Sequence, residues 1–257
     1  MIRLFLFRLR HYLKYRFRAV GLHSLHSPFL FELYNLVIKT SLDFRLENVE
    51  KLRKELKADH QIIDLYDLKE KKNYRKTIRS IAQTSLSKPK FSAFLYLLIN
   101  HLKVTRVMET GTSLGINSLY MAGPERVKKV STIEASPIIA SIAKKQFSKL
   151  LQHKIEIKVG TVQEEFEALI VKEQPEICFI DADHRAEAVK LCVDHLINHC
   201  PHIKCIIVHD IYWSDDMFQG WNDLVKKNAF TLTIDLFQAG LIFPNMDMPK
   251  QHFTLRF

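Results

Sequence analysis

Five short apolar runs dominate residues 104–210: Val104 to Glu109, Lys129 to Glu134, Lys154 to Val159, Glu176 to Asp181 and Lys204 to Asp210. Segments of helical character separate them. This is the texture of βαβ units around a parallel sheet, whose strands are buried on both faces and therefore read as continuous apolar stretches. All but the third run end on a carboxylate. In an open α/β sheet ligands bind outside the carboxyl ends of the strands, so Glu109, Glu134, Asp181 and Asp210 are expected to face one crevice.

Two further runs, Phe230 to Leu236 and His252 to Phe257, close the sequence, with Gly240-Leu241-Ile242-Phe243 between them and no long helix. Strands joined by a short connection are antiparallel, which predicts an antiparallel edge on an otherwise parallel sheet. The first 90 residues read differently. Helical spacing covers residues 2–18, Phe29 to Ile38 behind Ser27 and Pro28, Leu46 to Leu56, and Thr84 to Asn100, with Pro89 near the start of the last or breaking it. Asp59 to Lys76 is polar and aperiodic, a connection or short helix. A helical extension over residues 1–90 followed by an α/β domain over residues 91–257 is the expected organisation.

Apolar residues make up 47% of the chain, and only 7 glycines and 8 prolines occur, which excludes fibrous and low-complexity classes. Cys178, Cys192, Cys200 and Cys205 form neither a Cys-x-x-Cys nor a zinc pattern, which fits a reduced, cytoplasmic setting. The formal charge is +10, and Arg3, Arg8, Arg10, Lys14, Arg16 and Arg18 fall in the first 18 residues, where no acid occurs. Interleaved with Ile2, Leu6, Leu9, Leu13 and Phe17 they describe a basic amphipathic helix. Three readings stay open: contact with an anionic membrane surface, contact with nucleic acid, or packing of the apolar stripe on the protein's own body with the cations solvated. No run is long enough to span a bilayer or to form a signal-peptide core. His23 and His26 sit in the break after this helix, where capping competes with a functional role.

The segment Val107-Met108-Glu109-Thr110-Gly111-Thr112-Ser113-Leu114-Gly115 follows a strand and opens a helix. Gly111 and Gly115 would allow a tight turn and close approach to a ligand, beside the N–H groups of the helix start. Glu134 ends the next strand, 23 residues after Gly111, where a carboxylate accepts hydrogen bonds from ribose hydroxyls in nucleotide folds. The loop lacks the Gly-x-Gly-x-x-Gly spacing of dinucleotide sites. An adenosine-containing cofactor without a pyrophosphate is implied.

With Thr132-Ile133-Glu134, Phe179-Ile180-Asp181-Ala182-Asp183-His184 and Ile206-Ile207-Val208-His209-Asp210, this loop resembles the class I S-adenosylmethionine (SAM) dependent methyltransferases. The similarity is to the O-methyltransferase branch that includes the catechol and caffeoyl-coenzyme A enzymes and related bacterial proteins, over roughly residues 91 to 257. The resemblance implies a Rossmann-like, seven-stranded, mostly parallel sheet with helices on both faces and a seventh, antiparallel strand inserted between the fifth and sixth. It implies SAM as cofactor, with Glu109, Gly111 and Gly115 around the methionine moiety, Glu134 at the ribose, Gly160 and Thr161 near adenine, and Thr112, Ser113, Ala135 and Asp181 as further cofactor-binding residues.

Metal-dependent members of that branch bind a divalent cation through an aspartate at the position of Asp181 and an Asp-Asn pair after the fifth strand. The resemblance thus implies Mg2+ at Asp181 and Asp210. This chain departs from the pattern twice, with Ile211 in place of the asparagine and His184 in place of a basic lysine. Imidazole is a sensible general base near neutral pH, so His184 is the expected base, with Asp183 or Asp210 to orient it and His209 as a second candidate. Tyr212, Trp213, Phe218 and Trp221 are the aromatic candidates for an acceptor pocket, or core of the following helix.

O-methylation of a small-molecule or lipid-like acceptor is the expected activity. The alternatives are a SAM-binding module without catalysis, attached to a membrane or partner, and a nucleic-acid or protein methyltransferase; the motifs of base methyltransferases are not found. Expected partners are the acceptor, a membrane surface met peripherally through residues 1–18, and a second copy in a homodimer, with no nucleic acid. The expected location is cytoplasmic, at or near the inner membrane surface.

Overall fold

The computed structural model describes residues 2–22, 25, 27–67 and 70–257; His23 and His26 lie outside the described residues. It contains two compact units, Met1–Lys39 with Phe166–Phe257, and Thr40–Glu165.

Helix α1 (Ile2–Arg18) forms where the periodicity predicts it, yet the leucine stripe is its outer face. Leu6, Leu9 and Leu13 are about half exposed and Phe17 is 90% exposed. The inner face is Tyr15, only 3% exposed, whose hydroxyl donates to the Leu255 carbonyl at 2.6 Å and accepts from the Phe257 N–H at 2.9 Å. Beside it, the ring of His11 packs on Tyr212 and Phe218, and Phe7 meets Phe218. Arg8 donates to the Trp213 carbonyl at 2.8 Å. Aromatic contacts, the two chain-end hydrogen bonds of Tyr15 and the Arg8–Trp213 bond, not the apolar period, thus decide which way the helix faces. The reading in which the apolar stripe packs on the protein's own body does not hold for Leu6, Leu9, Leu13 and Phe17. Helix α2 (Pro28–Glu32) starts on Pro28, as expected, and continues as a π-helix over Leu33–Lys39.

In the 40–165 unit, α3 (Glu47–Ala58) leads into an antiparallel hairpin, β1 (Ile62–Asp67) and β2 (Lys72–Thr77), in register from Ile62↔Thr77 to Asp67↔Lys72. This corrects the expectation of an aperiodic connection over Asp59 to Lys76. Only Ile63 and Leu65 turn inward, and β2 carries no buried residue, so the apolar alternation is two residues long and invisible among the lysines. The expected helix Thr84 to Asn100 is α5 (Pro89–His101), with Pro89 in its first turn, while Thr84 and Ser85 end a separate helix, α4 (Ile78–Ser85).

Strand β3 (Arg106–Thr110), helix α6 (Ile116–Ala122), β4 (Lys129–Glu134), α7 (Pro137–Lys149) and β5 (Ile155–Val159) complete the unit. The strands are parallel, β4 pairing with β3 and β5. A buried polar network ties the layers together. Arg53 of α3 pairs with Glu50 at 3.0 Å and donates to Ser92 of α5 at 2.9 Å, Ser92 donates to Asn117 of α6 at 2.7 Å, and Tyr120 of α6 donates to Glu50 at 2.8 Å. A buried charge is tolerable only when paired and hydrogen-bonded, as here.

Helix α8 (Val162–Glu173) carries the chain into the other unit, which holds β6 (Ile177–Ile180), α9 (Ala186–His199), β7 (Cys205–His209), α10 (Asp215–Lys226), β8 (Leu232–Asp235), β9 (Ala239–Phe243) and β10 (Gln251–Thr254). Strands β6 and β7 are parallel, and β9 lies antiparallel between β7 and β8, the insertion the resemblance implies. The Gly240–Phe243 segment is itself this reversed strand. Consequently β8 and β10, expected as an antiparallel closing pair, run parallel, and β10 is an eighth strand beyond the seven. The fold is the expected Rossmann-like α/β architecture of mostly parallel strands. All four cysteines are buried and none is joined in a disulfide, and among the described residues no helix is long and apolar enough to cross a membrane.

Candidate functional site

In the 40–165 unit the loop after β3 is built around positive φ angles at Gly111 (88°), Ser113 (50°) and Gly115 (83°). Gly111 and Thr112 both donate N–H groups to the Ile133 carbonyl of β4, at 2.9 and 3.2 Å, so the loop folds back over the end of the neighbouring strand. Glu109 lies behind it, 1% exposed, and accepts from Ser118 at 2.5 Å and Thr132 at 2.8 Å. Thr112 is also buried and meets Thr132 hydroxyl to hydroxyl at 2.7 Å. These two side chains support the loop from beneath.

Glu134 is the pivot of the site. One carboxylate oxygen accepts the Ser113 N–H at 2.9 Å and the other the Ser136 N–H at 3.0 Å, fastening the glycine loop to the start of α7. Burial pushes its pKa up against the pull of these N–H groups. The carboxylate has four lone-pair sites, more than these N–H groups fill, so it keeps acceptor capacity. Glu134 and Ala135 open on a cavity of about 560 Å3 lined further by Tyr66, Tyr74, Pro137 and Ile138, within the range of small-molecule pockets. Tyr66 and Tyr74 come from the unrecognised hairpin, and no signal in the sequence marks them as site residues. Gly160 donates its N–H to the Glu134 carbonyl at 3.0 Å, while the Thr161 hydroxyl is engaged with Glu164 at 2.7 Å in a capping box for α8.

The second cluster belongs to the other unit. The parallel register Ile180↔Val208 sets Asp181, just past β6, level with His209 at the end of β7. Asp181 Oδ1 lies 2.6 Å from His209 Nδ1 and Asp210 Oδ2 lies 3.6 Å from the same nitrogen. Burial works against a charge on His209, but the two carboxylates outweigh it and raise its pKa to about 9. It is therefore an imidazolium at neutral pH.

His184 is part-buried, with Nε2 4.0 Å from Asp210 Oδ2 and its ring 5.1 Å from that of Trp213. The Asp183 carboxylate receives two hydrogen bonds from the Arg185 guanidinium, with Nε–Oδ1 at 2.7 Å. Asp183 and Asp210 both have positive φ, 52° and 54°, a strained conformation that clusters at functional positions. Of the four aromatic candidates, Trp213 alone stays beside His184. Trp221 is buried against Gly240, and Tyr212, which donates to Asp235 at 2.5 Å, and Phe218 pack under α1.

Residues 54–223 match the model of a family described as O-methyltransferase. No curated protein sequence matches the chain. The fold is shared with crystal structures of an O-methyltransferase from Bacillus cereus in complex with SAH (S-adenosylhomocysteine), at 16% identity and TM-score 0.57, covering 80% of this chain and 94% of that one. It is shared also with an SAH-bound methyltransferase from Podospora anserina, at 12% identity and TM-score 0.57, covering 79% and 97%. A third likeness is an O-methyltransferase from Streptomyces achromogenes in complex with SAM, at 14% identity and TM-score 0.51, covering 63% and 82%.

Proposed function

The chain belongs to the O-methyltransferase family, and on that premise we propose that it transfers the methyl group of SAM to a hydroxyl oxygen of a small or lipid-like acceptor. The observation that carries this reading is the cavity over Glu134, floored by a carboxylate whose oxygens are already aimed by two backbone N–H groups. Such a carboxylate suits the two vicinal hydroxyls of a ribose, and the tyrosine and isoleucine walls suit a flat base.

When bound, SAM supplies an electrophilic methyl group on a sulfonium. The chain's own residues then align the partners, exclude water and take the acceptor's proton. His184 takes that proton in this reading, because His209, already protonated and paired with Asp181, has no lone pair to offer. The fixed positive charge of His209 and the Asp210 carboxylate set the field around that base.

The same pairing bears on the magnesium implied for this scaffold. Asp181 and Asp210 both turn an oxygen to His209 Nδ1, and Ile211, fully buried, brings no oxygen where an asparagine amide would stand. With the His209 ring against both carboxylates and no third oxygen at Ile211, the donor set does not fit a dedicated magnesium site. Turnover is expected to change less than about twofold in excess EDTA. A tenfold loss, restored by Mg2+, would reverse this assignment.

Titration calorimetry with SAM tests the cofactor site: Glu134→Ala is expected to weaken binding about 10- to 100-fold, the worth of charge-assisted hydrogen bonds. If the wild-type chain does not bind SAM, the reading fails. His184→Ala is expected to lower the rate of SAH formation about 100-fold or more while leaving SAM affinity within about twofold. Undiminished turnover would remove His184 as base, and SAM binding without SAH formation across acceptors would favour the non-catalytic alternative.

A further inference from the structure

The outward face of α1 is a stripe with a border. Successive helix residues turn by about 100°, so Leu6, Leu9, Leu13 and Phe17 fall within an arc of about 80°. Arg3, Arg10 and Lys14 run along one side of that arc and Arg16 lies on the other. The four apolar side chains are 56%, 42%, 50% and 90% exposed, and the four cations are exposed as well. No acidic residue precedes Glu32. The opposite side is spoken for, since Tyr15, His11, Phe7 and Arg8 hold the helix to the C-terminal strands and to the segment before α10.

We propose that α1 seats the protein on an anionic lipid surface, with Leu6, Leu9, Leu13 and Phe17 in the acyl boundary and the flanking cations at the headgroup phosphates. An apolar stripe with cations on both margins is the arrangement of an interfacial helix lying in the membrane plane. Charge selects this occupant over the others. Two copies joined stripe to stripe would set four cations against four. A nucleic acid would meet the phosphates with the cations but leave Phe17 and the leucines against a polar backbone. The inference is independent of the methyl-transfer reading, because none of these residues takes part in the cofactor or acid–base clusters.

Co-sedimentation of the full chain with vesicles tests it, using phosphatidylcholine alone and phosphatidylcholine with about a third phosphatidylglycerol. Binding is expected to the anionic vesicles, weakening about fivefold for each of Arg10→Gln and Lys14→Gln and falling further with added salt. The double variant Leu13→Gln/Phe17→Gln is expected to bind at least about tenfold more weakly. Both positions are exposed and glutamine is a good helix former, so circular dichroism should show an unchanged fold. Equal sedimentation of the wild-type chain and this double variant overturns the proposal. So does light scattering that shows a dimer dissolved by the double variant while vesicle binding is unchanged, which assigns the stripe to a second copy.

Discussion

Asp181→Asn is expected to lower folding stability by about 2 to 3 kcal/mol near pH 6.5 and by well under about 1 kcal/mol near pH 9. The sign follows from His209, whose pKa stands at about 9 in the folded chain against 6.5 for an ordinary imidazole. A raised folded pKa means that the folded state binds the proton more tightly. The resulting stabilisation is complete below pH 6.5 and is lost as pH climbs through about 9. Removing the Asp181 charge deletes the nearest cause of that preference, although Asp210 at 3.6 Å retains part of it. Urea unfolding of the wild-type and variant chains at several pH values checks this. Curves separated by the same amount at pH 6.5 and pH 9 would show that Asp181 acts through packing and not through the imidazolium. His209→Gln should flatten the wild-type pH dependence over the same window.

Gly115→Ala is expected to be comparably severe, at about 3 kcal/mol and a fall in Tm of roughly 6 to 12 °C. Two costs add. The backbone at Gly115 has φ of 83°, which L side chains rarely adopt, and a Cβ there would come 2.5 Å from Cε1 and 2.9 Å from Cζ of Phe147. The ring belongs to α7 and is itself buried, so it cannot swing into solvent. Adding Phe147→Leu should recover the steric part and leave the φ cost, separating the two in a thermal melt. SAM affinity should fall alongside, since Gly115 closes the loop whose Ser113 N–H is fastened to Glu134. A variant as stable as the wild type would show that the turn can relax around a methyl group.

The strands that carry this site were legible because buried parallel strands are written as unbroken apolar runs with polar ends. Glu134 ends β4 as expected, and Asp181 and Asp210 fall one residue beyond β6 and β7. What escaped depends on distance in space. The Asp181–His209 pair exists because Ile180 is in register with Val208, a relation between segments nearly thirty residues apart. The tyrosines that line the Glu134 cavity come from a hairpin with only two inward apolar residues, too few to establish a period. Periodicity did mark the stripe on α1, but a stripe says nothing about what it faces. That was settled by Tyr15, whose hydroxyl is shared between Leu255 and Phe257.

The Arg8–Trp213 contact makes the protein its own optical reporter. The chain has two tryptophans: Trp221, 3% exposed, and Trp213, 43% exposed with the Arg8 guanidinium 4.2 Å from the centre of its ring. The first is shielded from solvent and contributes a blue-shifted emission. The second is lit from a place where α1 ends its grip on the body and His184 begins, so its quenching and emission maximum register any shift of that helix. Events at a surface and events beside His184 would be read in one spectrum, without a label.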